Sequence, residues 1–120
     1  MVVLLAEDDE LILKTIAHKL KKEGFEVVLT RNGLEAIDLI KEGGIDLIIS
    51  DIMMPFASGI EILSALKRLG RTIPIIMLSG MGQEEIVLEA FDLGASDFMV
   101  KPFSPNELII RVNRLIALQK

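Results

Sequence analysis

Four carboxylates follow predicted strands in this sequence and could together bind a metal ion. Glu7, Asp8 and Asp9 come directly after the first apolar run of the chain, and Asp51 comes directly after another. Clustered carboxylates repel one another and raise each other's pKa unless a cation joins them. Mg²⁺ prefers oxygen ligands and takes only one or two carboxylates while keeping several waters. The pattern favours a divalent-cation site, although Asp9 could instead cap the helix that follows it.

A hydroxyl and an amine follow two further apolar runs. Ser79 ends one of them, and Lys101 follows the other and precedes Pro102. Ser79 could be an ordinary turn hydroxyl, and Lys101 could simply end a strand. A lysine aimed at a carboxylate cluster would offset its charge and could bind a phosphoryl oxygen. X–Pro bonds are the common cis peptides, so a cis Lys101–Pro102 bond could direct this lysine inward.

Asp51 has several possible roles. Taken alone, a carboxylate at the end of a strand is most simply a turn residue, helped here by Pro55. Beside the acidic cluster, it could be a metal ligand, a nucleophile or both.

Five strand patterns alternate with five helix patterns, which predicts one α/β domain with right-handed crossovers. The short strands are rich in Val, Ile, Leu and Met, as is usual for a parallel sheet covered on both faces. The predicted strands are residues 2–6, 25–30, 45–50, 73–79 and 97–101. The predicted helices are residues 10–23, 33–42, 59–69, 83–93 and 105–118. Polar residues at the carboxyl ends of such strands would meet at one edge, where these folds bind ligands.

Side chains near three helix starts have capping-box spacing, in which two residues satisfy backbone donors reciprocally. The three pairs are Asn32 and Glu35, Ser58 and Glu61, and Ser104 and Glu107.

The bulk properties suit a single soluble domain spanning residues 1–120. The net charge of −5 argues against non-specific nucleic-acid binding. The chain has no cysteine, which fits a reducing compartment. No apolar run approaches the ~20 residues that span a bilayer, and the N-terminus lacks the features of a signal peptide. We therefore expect a cytoplasmic protein with no membrane partner.

Motifs at the predicted strand ends resemble the receiver domain of bacterial two-component response regulators. The resemblance runs from Val2 to about Leu118 and implies a flavodoxin-like, doubly wound (βα)5 fold with strand order 2-1-3-4-5. The motifs that carry it are Glu7-Asp8, Asp51-Ile52-Met53-Met54-Pro55 with Gly59, Ser79, and Phe98 with Lys101-Pro102-Phe103.

The resemblance implies a role for each site residue. Asp51 is the implied phospho-acceptor in a Mg²⁺-dependent (or Mn²⁺-dependent) reaction, which is phosphoryl transfer by positioning and charge stabilisation. Asp8 and Asp51 would ligate the metal, with Glu7 acting through water and the backbone carbonyl of Met53 as a further ligand. Whether Asp8 or Asp9 lies closer to the metal stays open, because three acids follow the first strand.

The remaining implied roles concern signalling. Ser79 and Lys101 would each contact a phosphoryl oxygen, and Ser79 and Phe98 would form the switch. Phe98 stands where many relatives have Tyr, so it can change burial but cannot offer a hydroxyl. The switch would reshape the face made by the fourth helix, the fifth strand and the fifth helix.

The implied partners are a histidine kinase or phosphotransfer protein and an output domain or downstream protein. The chain would be no enzyme beyond its own phosphorylation and dephosphorylation. It would be a monomer or a weak, phosphorylation-dependent dimer. Asp97, Glu107 and Arg111 resemble part of the charged set of one dimerising subgroup, but Val87 and Asn113 replace its basic residues.

Three other classes of protein fit the sequence less well. A haloacid-dehalogenase-like phosphohydrolase would need a nucleophilic Asp where Glu7 stands, and a flavodoxin-like cofactor binder would need a phosphate-cradling loop there. An unphosphorylated docking module would not need the complete set of site residues.

Two other side chains have more ordinary expected roles. The only histidine, His18, falls opposite the apolar stripe of the first helix, so we expect it to be solvated. For Phe56, we favour a packing role over a partner contact.

Overall fold

The computed structural model describes residues 1–54 and 56–118, so Pro55, Gln119 and Lys120 lie outside the described residues. Strands and helices alternate along the chain, as the sequence predicts. The strands are β1 (Val2–Ala6), β2 (Glu26–Thr30), β3 (Leu47–Asp51), β4 (Ile75–Ser79) and β5 (Asp97–Val100). The helices are α1 (Glu10–Lys22), α2 (Gly33–Glu42), α3 (Gly59–Arg68), α4 (Glu84–Asp92) and α5 (Pro105–Leu118). Both β3 and β4 begin two residues later than predicted.

The five strands form one parallel sheet in the order β2-β1-β3-β4-β5, which confirms the expected fold. The register aligns the carboxyl ends of neighbouring strands. Ala6 pairs with Ser50, Asp51 with Leu78, and Ser79 with Val100. The residues that end β1, β3, β4 and β5 therefore come together at one edge of the sheet.

Each face of the sheet is covered by helices and forms its own hydrophobic core. On one face, β-strand residues such as Leu5 and Leu78 pack against α1 and α5. On the other, residues such as Leu4 and Met77 pack against α2, α3 and α4. Every residue of β3 and β4 is buried, which explains why both strands are apolar until their polar last residues.

Helix caps fix how the chain leaves the strand ends. Asn32 accepts a hydrogen bond from the backbone N–H of Glu35 at 2.8 Å, which confirms one half of its predicted capping box. The prediction for Ser58 is wrong, because its side chain makes no cap hydrogen bond. The first backbone donor of α3, at Gly59, instead reaches the carbonyl of Ile52 at 3.0 Å.

The third predicted capping box forms only in part. Ser104 Oγ accepts a hydrogen bond from the N–H of Asn106 at 3.2 Å. Glu107, its expected reciprocal partner, instead accepts a hydrogen bond from Arg111 at 3.1 Å.

Candidate functional site

The strand register brings Glu7 and Asp51 side by side. Glu7 is the first residue after β1, and Asp51 is the last residue of the neighbouring strand β3. Both residues are buried, with Glu7 fully inaccessible and Asp51 only 6 % exposed. Two carboxylates in such a place need a compensating cation, since an unpaired buried charge is costly.

Lys101 supplies positive charge between these two carboxylates. Its Nζ lies 2.7 Å from Asp51 Oδ2 and 3.0 Å from Glu7 Oε2. Burial by itself would lower the pKa of Lys101, but its hydrogen bonds to Asp51 and Glu7 outweigh that effect and raise the pKa. The ammonium group is therefore held in its charged form in the middle of the acidic site.

The end of β5 positions Lys101. Its backbone N–H donates to the carbonyl of Ser79 at 2.7 Å, which extends the pairing of β4 and β5 by one residue. The Lys101–Pro102 peptide bond is cis, as the sequence suggested.

Glu7 is the most perturbed carboxyl group of the site. Its pKa is raised to about 7, mainly by burial and also by repulsion from Asp51, while Lys101 partly opposes the rise. Its Oε1 also accepts a hydrogen bond from the N–H of Asp9 at 3.1 Å, which fixes the carboxylate in place. Lys101 Nζ donates a hydrogen bond to Glu7 Oε1 at 3.3 Å. Glu7 Oε2 is buried and forms an ion pair with Lys101, but it accepts no hydrogen bond from the described residues.

Glu7, Asp8 and Asp51 form a cluster that can hold a metal ion. Each offers one carboxylate oxygen, and these oxygens all lie within 4.8 Å of one another. Asp8 is exposed, so the cluster opens to solvent on its side. The donor set is all oxygen, which suits a hard divalent cation.

Asp9 is held outside this cluster by its role at the start of α1. Its Oδ1 accepts hydrogen bonds from the backbone N–H groups of Leu11 at 3.0 Å and Ile12 at 3.1 Å. Asp9 therefore caps α1, one of the two roles that the sequence left open.

The loop after β3 folds closely over Asp51. The N–H of Met53 donates to Asp51 Oδ1 at 3.2 Å, and the Met53 side chain is half exposed. Gly59 at the start of α3 lies so close that a Cβ there would approach the Asp51 carbonyl oxygen to 3.0 Å and Met77 Sδ to 2.8 Å. A larger residue where α3 begins would therefore require Met77 and the backbone near Asp51 to shift. The role of the Met53 carbonyl as a metal ligand stays a prediction.

Comparison with known proteins identifies the family. The family model described as "Response regulator receiver domain" matches residues 3–113. The chain belongs to the response regulator receiver domain family. It is thus a receiver of two-component signalling, and the phosphohydrolase and cofactor-binder alternatives are not supported.

Curated relatives of this receiver are longer proteins. One is the probable transcriptional regulator ycf29 of Pyropia yezoensis, 42 % identical over 96 % of this chain and 53 % of the relative. Another is the response regulator SaeR of Staphylococcus aureus, 38 % identical over 98 % of this chain and 51 % of the relative. The receiver spans about half the length of these relatives.

Solved structures show the same fold. The Francisella response regulator 1452 receiver domain has a TM-score of 0.91 and 38 % identity, covering 99 % of this chain and 98 % of that one. The chemotaxis response regulator CheY4 of Vibrio cholerae has a TM-score of 0.87 and 32 % identity, covering 94 % of this chain and 96 % of that one. Among residues 1–54 and 56–118, no helix has the length and hydropathy needed for a bilayer crossing.

The two residues predicted to form the switch, Ser79 and Phe98, lie between the site and the face made by α4, β5 and α5. Ser79 is buried, and its Oγ donates to the carbonyl of Met99 over a long 3.5 Å. Phe98 is half-buried and packs edge-to-face on Phe91 of α4, with ring centroids 5.6 Å apart. A cavity of about 460 Å³ lies between α4 and β5, and both Ser79 and Phe98 line it.

Charged residues on the face made by α4, β5 and α5 form ion pairs with one another. Arg111 on α5 donates to both oxygens of Asp97, at 2.8 and 3.0 Å, and to Glu107 at 3.1 Å. Helix α4 carries four acidic residues and no basic one.

Two side chains outside the site, those of His18 and Phe56, are exposed on the surface. His18 is exposed, as expected. Phe56 is 79 % exposed with a φ of 69°, so the packing role that we favoured is wrong. Non-glycine residues rarely adopt this backbone region, and the turn after β3 turns the ring out to solvent.

One further contact, in the loop after β4, could not be predicted from the sequence. The backbone N–H of Gly80 donates to Oε1 of Gln83 at 2.6 Å, which closes the loop between β4 and α4. Nothing in the type or spacing of these residues indicates the bond.

Proposed function

We propose that this receiver is a phosphorylation-controlled switch in which Asp51 accepts a phosphoryl group from a phosphohistidine. The observation that carries the proposal is the position of Lys101 Nζ, 2.7 Å from Asp51 Oδ2 and 3.0 Å from Glu7 Oε2. A lysine in that position orients the Asp51 carboxylate. Its ammonium group can also stabilise the negative charge of a phosphoryl group that is transferred to Asp51.

The chemistry is an in-line displacement at phosphorus. A carboxylate oxygen of Asp51 attacks the phosphorus while the bond from phosphorus to the donor imidazole nitrogen breaks. The electron pair of that bond stays on the imidazole, which takes up a proton, and the product is an acyl phosphate on Asp51. Lys101 can pair with a phosphoryl oxygen, because its ammonium group lies beside the attacking carboxylate.

The residues present fit Mg²⁺, or Mn²⁺ in its place. Glu7, Asp8 and Asp51 supply clustered oxygen donors, and Glu7 Oε2 forms an ion pair with Lys101 but accepts no hydrogen bond from any described residue. Asp8 and Asp51 would hold the ion, with Glu7 acting through water. When bound, the metal supplies positive charge that neutralises the phosphoryl oxygens. Asp9 is the least suited of the four carboxylates to bind the metal, because its side chain already caps α1.

Phosphorylation is proposed to change the face formed by α4, β5 and α5. A phosphoryl group on Asp51 would draw the Ser79 hydroxyl away from its weak bond to Met99. The space vacated at Ser79 would then be open to Phe98, which already lines the same cavity. Burial of Phe98 is the contact that would differ between the two states, as any switch requires.

The proposed partners follow from this role. The phosphoryl donor would be a histidine kinase or a phosphotransfer protein. The recipient of the signal would be an output domain or a downstream protein that reads the α4–β5–α5 face. The chemistry is confined to the chain's own Asp51, so the receiver would not turn over other substrates.

Labelling with small phosphodonors tests the proposal. Acetyl phosphate or phosphoramidate with Mg²⁺ should add a single phosphoryl group, detected by intact-protein mass spectrometry. Asp51→Asn should abolish the addition, and EDTA should prevent it in the wild type. Asp38→Asn is the matched control, since Asp38 is exposed on α2, and it should label normally. Full labelling of Asp51→Asn would contradict the assignment.

A further inference from the structure

The loop between β4 and α4 is closed by one side chain. Gly80, directly after Ser79, donates its backbone N–H to Oε1 of Gln83 at 2.6 Å. This is a short hydrogen bond for an amide donor, and it spans the whole loop of residues 80–83.

The Gln83 side chain forms a hydrogen bond with the loop and does not cap the helix. Gln83 stands at the N-cap position of α4, yet its side chain makes no cap hydrogen bond. Glutamine is not among the residues that favour this position. Replacing its amide would therefore cost α4 little, and the main loss would be the bond to Gly80.

Few other interactions hold this loop. Met81 is 84 % exposed, and Gly82 has a φ of +83°. Among the described residues, no backbone–backbone hydrogen bond outside the helices and strands involves Gly80, Met81 or Gly82. Glycines lose more conformational entropy than other residues when they are ordered. The order of the loop therefore depends strongly on the Gln83 side chain.

The loop lies where the proposed switch must move. Gly80 and Gln83 line the same 460 Å³ cavity as Ser79 and Phe98. Rotation about χ1 can turn the Ser79 hydroxyl, but a shift of the Ser79 backbone toward Asp51 would also move Gly80, to which it is covalently joined. The bond to Gln83 opposes that shift.

We propose that Gln83 is a positioning residue that latches the β4–α4 loop in its resting arrangement, so that phosphorylation must break the Gly80–Gln83 hydrogen bond. This inference rests on the proposed role of Asp51. The hydrogen bond would favour the resting conformation of the loop. The apparent affinity for a phosphoryl group would then be lower, because it falls with the population of the binding-competent conformation.

The first test is the affinity of the metal-loaded protein for a phosphoryl analogue. Beryllofluoride is titrated in excess Mg²⁺ into the wild type and into Gln83→Met, which keeps the length of the side chain but removes the amide oxygen. The net value of one hydrogen bond predicts roughly two- to tenfold tighter binding in Gln83→Met. Glu85→Gln, an exposed change nearby on α4, is the control and should bind like the wild type.

The second test distinguishes a latch from a general stabilising role. In NMR spectra without beryllofluoride, Gln83→Met should move the amide signals of Phe98, Met99 and Val100 part of the way toward their beryllofluoride-bound positions. Gln83→Glu keeps an acceptor oxygen and should retain the wild-type positions. If Gln83 had a purely structural role, Gln83→Met would lower the melting temperature without moving these amide signals toward their beryllofluoride-bound positions.

The outcomes separate the latch from the proposed function. If the wild type binds beryllofluoride with Mg²⁺ but Gln83→Met binds with equal or weaker affinity, the latch is wrong and the role of Asp51 stands. If the wild type does not bind the analogue and Asp51 is not labelled by phosphodonors, the proposed function itself is overturned.

Discussion

Lys101 Nζ and Asp51 Oδ2 lie 2.7 Å apart, although 50 positions of sequence separate the two residues. The contact forms because β3 and β5 flank β4, and all three strands end at the same edge of the sheet. The same ammonium group reaches Glu7 at 3.0 Å. One lysine therefore balances the charge of two buried carboxylates.

Removing this lysine should destabilise the metal-free protein. Lys101→Met keeps the aliphatic stem but leaves Glu7 and Asp51 without a cation, and breaking a buried ion pair costs about 3–5 kcal/mol. The side chain of Lys101 is 21 % exposed, so we expect a loss near the lower limit. Urea unfolding at pH 8 in EDTA measures the loss, and Lys67→Met at an exposed position is the control. A loss no larger than that of the control would contradict the balancing role of Lys101.

Glu7 should make the stability of the metal-free protein depend on pH. Its folded pKa of about 7 lies above its ordinary value of 4.5. The folded state therefore holds the proton more tightly than the unfolded state. The stability that this group contributes is complete below pH 4.5 and is lost as the pH rises through 7.

The Glu7→Gln variant isolates this effect. Between pH 4.5 and pH 8, the free energy of unfolding of the wild type should fall relative to Glu7→Gln by on the order of 3 kcal/mol. Glu26→Gln, at an exposed carboxyl, should follow the wild type. Mg²⁺ should reduce the pH dependence, because a bound cation favours the charged carboxylate. Parallel pH curves for the wild type and Glu7→Gln would show that Glu7 does not titrate in this range.

Much of the site could be predicted because it depends on strand ends. Asp51, Ser79 and Lys101 each end or follow an apolar run, and parallel strands bring such positions to one edge. The helices were equally clear, although the starts of β3 and β4 were not. The predicted strands begin at the apolar residues Ile45 and Ile73, but the observed strands begin two residues later in each case.

The parts that sequence could not predict depend on side-chain choice. Ser58 has the spacing of a capping residue, but the carbonyl of Ile52 takes the first donor of α3 instead. Asp9 could cap or coordinate, and only its bonds to Leu11 and Ile12 identify the cap. Gln83 bonds to Gly80 because of the path of one loop, for which no sequence pattern exists.

The receiver should be a monomer before phosphorylation. Arg111 already pairs with Asp97 and Glu107 of its own chain, so a symmetric dimer would gain little by exchanging these pairs. The four acidic residues of α4 would repel those of a second copy. Exposed ion pairs contribute only about 0–1 kcal/mol each, which predicts at most a weak dimer with beryllofluoride and Mg²⁺. Sedimentation velocity with and without the analogue measures this, and a stable dimer of the unmodified protein would contradict it.

Met53 should prolong the lifetime of the acyl phosphate. Its N–H donates to Asp51 Oδ1 at 3.2 Å, and the residue is 49 % exposed, so Met53 lies next to the acceptor at the protein surface. Met81 occupies the corresponding position two residues after Ser79 and is more exposed still. An apolar side chain can obstruct a hydrolytic water and cannot orient it by hydrogen bonding, because a thioether is only a weak acceptor.

Replacing Met53 with a polar residue should therefore speed the loss of the phosphoryl group. We expect Met53→Asn to shorten the half-life of phosphorylated Asp51, measured by mass spectrometry after removal of the phosphodonor. Met53→Leu keeps an apolar side chain of similar volume and should decay like the wild type. Met54→Asn tests whether any polar residue in this loop is enough, since Met54 lies one position further from Asp51. An unchanged decay rate in Met53→Asn would show that the approach of water is limited elsewhere. Equal acceleration by Met53→Asn and Met54→Asn would attribute the effect to the loop as a whole.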